Sequence, residues 1–162
     1  DVYKRQMFIH PASKKNKTLV NNIDSDMIQP NTIDLRVQTI SRIGAGEFSI
    51  DEEKKVHRKQ IEVPKDSDGY WELEAGGCYA IDSNQYIEMG EGEVGIVLGR
   101  STFNRNGVFI VSSVYDSGFK DYVGATLYNI GGLTRIRYGT RFAHLILTQA
   151  ETLSMYQGDY GN

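Results

Sequence analysis

The stretch Gly99-Arg-Ser-Thr-Phe-Asn-Arg-Asn-Gly107 sets two cations and two hydroxyls close together directly after an apolar run. Arginine offers forked donors that match phosphate oxygens, and the free N–H groups of a helix start add more. Phosphate binding is one reading of this stretch; a capped turn with solvated arginines is the other. Farther on, Ser112-Ser-Val-Tyr-Asp-Ser-Gly-Phe119 places Asp116 in a turn of small residues ahead of an aromatic ring. An aspartate in such a turn commonly serves its own backbone. Fixed at a strand end, it can instead orient or deprotonate a water.

Gly90-Glu-Gly-Glu-Val-Gly95 spells G-x-G-x-x-G but lacks the context of a dinucleotide site. That chemistry needs a strand before the glycines and a helix N-terminus after them. Here the apolar run Val94–Leu98 follows, and Glu91 and Glu93 would repel a pyrophosphate. The segment reads as a tight turn.

Strands must therefore position the reactive residues. Runs rich in β-branched and aromatic side chains recur at Ile33–Val37, Trp71–Leu73, Cys78–Ile81, Tyr86–Met89, Val94–Leu98, Val108–Val111, Val123–Tyr128, Leu133–Arg137 and Arg141–Leu147. Turn signals separate them at Gly76-Gly77, Asp82-Ser83-Asn84, Gly90-Glu91-Gly92, Asn106-Gly107 and Gly131-Gly132. This spacing predicts an all-β sandwich or barrel. The one helix expected is a short turn after Arg100, capped by Ser101 or Thr102. Residues 51–69 form a charged insertion that reads as a solvated loop or hairpin.

Composition narrows the function. The 162 residues fit one domain, and 18 Lys and Arg against 21 Asp and Glu leave a net charge of −3. That balance argues against binding nucleic-acid polymers or anionic membranes, though not against a local anion site. No apolar run approaches the roughly 18 residues of a membrane span, and no signal-peptide pattern opens the chain. Cys78 is the sole cysteine and the three histidines lie far apart, so neither an intrachain disulfide nor a preformed zinc site is expected. A reducing cytoplasm is the expected compartment. Residues 1–6 precede Met7 and read as a non-native extension, leaving 7–162 as a single domain with a short tail over 150–162.

Four stretches occur in order: Gln29-Pro-Asn-Thr-Ile-Asp-Leu-Arg36; Gly99-Arg-Ser-Thr-Phe-Asn-Arg105; Val114-Tyr-Asp-Ser-Gly-Phe119 through Thr126-Leu-Tyr-Asn129; and Gly139-Thr-Arg-Phe-Ala-His-Leu-Ile146. Together they resemble the trimeric dUTPase and dCTP deaminase superfamily. The resemblance implies a jelly-roll-like β-barrel, a homotrimer with sites at subunit interfaces, and a deoxynucleoside triphosphate carrying Mg2+ as substrate. It places Asp116 as the water-orienting carboxylate. Arg100, Ser101, Thr102 and Arg105 fall on the phosphates, Phe119 against the deoxyribose, and Asp34 at the motif-one aspartate, where a structural role is equally open. Arg141, His144, Tyr156 and Gln157 match secondary and tail positions, while Phe103 reads as core packing.

The opening motif and the tail Tyr156-Gln-Gly-Asp-Tyr-Gly161 are similar to the deaminase branch. That branch carries a proton-shuttling glutamate ten residues after the motif-three aspartate, and here the position is Thr126. A threonine hydroxyl cannot relay that proton. A zinc route needs at least two cysteines. Hydrolysis of dUTP to dUMP and pyrophosphate is therefore the expected reaction, with dCTP deamination and a non-catalytic nucleotide-binding regulator as alternatives. His144 and Asp159 stand where glutamine is usual.

Overall fold

The computed structural model describes residues 8–160, so the extension expected at 1–6 lies outside the described residues. Among them fourteen strands and one short α-helix are formed. The strands are β1 Phe8–Ile9, β2 Leu19–Val20, β3 Ile33–Ile43, β4 Ser49–Ile50, β5 Lys55–Val56, β6 Gln60–Glu62, β7 Tyr70–Leu73, β8 Gly77–Glu88, β9 Glu93–Gly99, β10 Val108–Val111, β11 Val114–Tyr115, β12 Lys120–Asn129, β13 Thr134–Arg137 and β14 Arg141–Gln149. The helix α1 spans Ser101–Arg105.

Ten strands join one curled sheet in the order β10-β12-β8-β3-β14-β9-β11, with β1, β2 and β6 pairing off this path to β14, β8 and β3. This is the jelly-roll-like all-β architecture expected. The long strand β3 makes the curl possible, pairing with β14 through Ile33–Arg36 and with β8 through Val37–Arg42. Period-two burial along β8 and β14 sends one side-chain set inward, where Leu35, Ile81, Leu127, Phe142 and Leu145 are fully buried. Each such side chain contributes about 1.5–3 kcal/mol.

Two expectations require correction. Asp82-Ser83-Asn84 does not turn the chain: β8 runs through it as a single strand, absorbing extra residues where its register with β12 shifts between Tyr122 and Gly124. Pairing on both sides, to β3 and β12, overrides the local turn preference. The cap of α1 is Arg100, and no side chain bonds to the free N–H groups there, so neither Ser101 nor Thr102 caps the helix.

The start of the insertion pairs back on Ser49–Ile50 as the small β4–β5 hairpin, and β6 pairs antiparallel with the end of β3. At the opposite end, Gly107 takes φ +71° and a Cβ there would lie 3.0 Å from Gly131 Cα, so two turns pack backbone to backbone beside α1. The segment before β2 is pinned by buried Glu93. Its carboxylate accepts the backbone N–H groups of Lys17 at 2.8 Å and Thr18 at 2.9 Å, together with the Thr18 hydroxyl.

Candidate active site

Two groups of the expected residues form, at opposite ends of β9. The first surrounds Asp34. Antiparallel pairing sets Asp34 of β3 opposite His144 of β14, and β14 also pairs with the end of β9 that leads into Arg100. Asp34 is only 1% exposed. His144 Nδ1 lies 2.7 Å from its Oδ1, at hydrogen-bond distance. Arg141 Nη1 donates to Oδ2 at 3.3 Å, and Arg100 Nε stands 3.8 Å from the same oxygen.

Asp34 thus faces the arginines rather than solvent, and it aims them. Arg100 Nη1 also donates to the Arg141 carbonyl at 3.2 Å, and Arg141 donates to the Asp26 carbonyl at 2.7 Å. Next to them Arg36 pairs with Asp26, and that hydrogen bond is the main reason the Asp26 carboxyl lies below the usual aspartate range. Ser101, Thr102 and Arg105 are exposed on α1, while half-buried Phe103 packs against the core as expected. The cluster offers guanidinium and hydroxyl donors to an anion.

The second group surrounds the turn after β11. Asp116 is exposed, and among the described residues its carboxylate has no hydrogen-bond or ion partner. The turn closes through the Phe119 N–H, which donates to the Asp116 carbonyl at 3.0 Å. Phe119 is buried between Tyr115 and Tyr156, both edge-on, with ring centroids at 5.0 and 5.5 Å. A cleft of about 750 Å³ opens here, and Asp116, Phe119, Thr126, Asp82 and Tyr156 line it.

The tail reaches this turn. The Tyr156 N–H donates to the Ser117 carbonyl at 2.8 Å, and the hydroxyls of Ser117 and Thr152 lie 2.8 Å apart. Gln157 lines a neighbouring cleft of about 530 Å³ with Asp116. Exposed Lys55 of the insertion pairs with Asp159, which lowers the Asp159 carboxyl.

The structure does not bring the two groups together. Neither cleft at Asp116 is lined by Arg100, Ser101, Thr102 or Arg105. Tyr115 pairs with Gly95, five residues before Arg100, a separation of roughly 16 Å at strand rise. Among the described residues no three His, Cys, Asp or Glu side chains are grouped to hold a metal ion. Asp82 is the cleft residue that the sequence reading missed. Its Asp-Ser-Asn setting signalled a turn, whereas the strand register aims it into the cleft.

Known proteins agree with this architecture. The profile of the dCTP deaminase-like family matches residues 4–150. A protein of Methanopyrus kandleri named "Probable deoxyuridine 5'-triphosphate nucleotidohydrolase" is 28% identical over 90% of this chain and 94% of its own length. One of the same name from Methanothermobacter thermautotrophicus is 30% identical over 83% of this chain and 88% of its own. Among solved structures, the 2'-deoxycytidine 5'-triphosphate deaminase from Agrobacterium tumefaciens aligns at a TM-score of 0.65 with 15% identity, covering 83% of this chain and 44% of that one, a likeness of fold. The family match runs from residue 4 to residue 150 and takes in every strand described: the chain belongs to the dCTP deaminase-like family.

Proposed function

We propose that this protein hydrolyses dUTP to dUMP and pyrophosphate, and that a homotrimer builds the site from two copies of the chain. The observation that carries the reaction is an unpartnered carboxylate, Asp116, in a cleft where the deaminase glutamate is replaced by Thr126. The names of the relatives from Methanopyrus kandleri and Methanothermobacter thermautotrophicus support the same substrate.

Asp116 would orient a water whose oxygen bonds to the α-phosphorus, while the bridging oxygen leaves with pyrophosphate. Arg100, Ser101, Thr102 and Arg105 would hold the phosphates, with Arg141 and His144 buttressing them through Asp34. Phe119 would pack on the deoxyribose, and Tyr156 and Gln157 would close the cleft. Mg2+, when bound with the triphosphate, would neutralise charge on its oxygens, which the exposed Asp116 carboxylate and the Arg100 guanidinium would flank.

Sharing between copies is supported by the separation of Asp116 from Arg100 along β9. The exposed apolar residues Leu98, Val111, Val114 and Leu133 supply surface for contact. No helix among the described residues is long and apolar enough to cross a membrane, and a single cysteine suits the cytoplasm.

The test incubates the protein separately with dUTP and dCTP in Mg2+ and measures pyrophosphate and ammonia. Pyrophosphate from dUTP without ammonia from dCTP is expected, and Asp116→Asn should lower turnover by about 10²-fold or more while the protein stays folded. Ammonia from dCTP with no pyrophosphate from dUTP would overturn the assignment.

A further inference from the structure

The outer face of the β3-β8-β12 sheet forms the floor of the Asp116 cleft, and its register places a second carboxyl there. Thr126 pairs with Ala80, and one step along the same face Gly124 pairs with Asp82, which in turn pairs with Thr39 of β3. Asp82 is thus the diagonal neighbour of Thr126, within reach of anything bound over it.

Its setting is built rather than incidental. The Thr39 hydroxyl donates to Asp82 Oδ2 at 3.2 Å. Oδ1 lies over Gly124, where a Cβ would come within 3.0 Å of it, so the bare glycine makes the space that the carboxyl occupies. The backbone beneath is fixed in turn, because the Tyr115 hydroxyl donates to the Gly124 carbonyl at 2.6 Å. Among the described residues Oδ1 has no hydrogen-bond partner and Asp82 has no ion-pair partner. One oxygen is held and the other faces the cleft.

We propose that Asp82 is a specificity-determining residue that contacts the polar edge of the pyrimidine ring, an inference that rests on the nucleotide reading of this cleft. With Phe119 beside the sugar and Asp116 beside the phosphate ester, the base extends over Thr126 toward Asp82. The carboxyl oxygen there can accept an N–H from the ring edge, and in its protonated form it can donate to a ring carbonyl. The walls of the cleft desolvate Asp82 despite its open edge, which raises its carboxyl above the ordinary aspartate range; the Thr39 bond opposes the rise and nearby Asp121 adds to it. A short side chain tethered to Thr39 suits recognition better than a relay, which needs a carboxyl that can swing between water and a leaving amine.

The experiment compares wild type, Asp82→Ala and Gly124→Ala by titration calorimetry with α,β-imido-dUTP and with inorganic tripolyphosphate. Far-ultraviolet dichroism checks the fold. Both variants should bind the nucleotide about tenfold more weakly, the loss of one hydrogen bond to a charged or acidic group, and tripolyphosphate as well as wild type does. Gly124→Ala keeps the carboxyl but displaces it, so it reads the contact without deleting the group. Nucleotide affinity unchanged in both folded variants would overturn the proposal, as would an equal loss for both ligands. If wild type releases ammonia from dCTP and Asp82→Ala does not, Asp82 is a proton relay and the recognition role is overturned. Binding is read without turnover, so a wild type that fails to cleave dUTP would refute the hydrolase reading and leave this result standing.

Discussion

Arg100 at the start of α1 and Arg141 at the start of β14 reach the surface side by side, and the buried carboxylate of Asp34 lies beneath both. Two guanidinium groups on one carboxylate leave donors facing outward, already aimed. Arg100→Ala should therefore weaken binding of α,β-imido-dUTP by about 1.5–3 kcal/mol, or some tenfold to a hundredfold, in a calorimetric titration. Unchanged affinity in the folded variant would remove Arg100 from the phosphate site. Asp82 makes a prediction of opposite character. Its carboxyl titrates higher in the folded protein than in the unfolded chain, so the folded state binds the extra proton and stability falls as pH rises through that interval. Asp82→Asn should consequently melt higher than wild type at neutral pH, with the gap closing as pH drops below the ordinary aspartate range. Melting curves across that range check it, and a gap that widens in acid would contradict the sign.

The elements show how far the sequence carries and why it stops. Apolar alternation with glycine punctuation identified most sheet strands and the turn after Arg100, because half-buried strands print their period directly into the residues. The two-residue strands β1 and β2 carry too little pattern to read. Asp82-Ser83-Asn84 interrupts β8 in the sequence pattern because the local chemistry of those residues favours a turn, while the flanking strands that overrule it are distant in sequence. The same limit applies to the site. The motifs named Asp34, Arg100 and Asp116, yet only the register of β14 with β3 shows that His144 and Asp34 meet, and only the curled sheet shows Asp82 beside Thr126. Glu93 gives a test at this scale, since one buried side chain holds the segment before β2 against the start of β9. Glu93→Ala strands three buried or half-buried donors and should cost about 3 kcal/mol, read as a lower denaturation midpoint at unchanged slope. A midpoint equal to wild type would mean that the segment is held by other contacts.

For the whole molecule, assembly decides whether the two halves of the site ever meet. Light scattering should give a mass near three times the 18.2 kDa chain. A stable monomer that cleaves dUTP would refute the shared site. The β9 spacer between Asp116 and Arg100 has a further consequence, expressed as complementation. Asp116→Asn and Arg100→Ala each spoil a different half of every site, so at dUTP concentrations well below KM either protein alone should keep about a tenth of wild-type activity or less. Mixed, dissociated and reassembled, they should regain activity, because random pairing in equal amounts joins an intact Asp116 to an intact Arg100 at about a quarter of the interfaces. Two crippled proteins would then make a more active one.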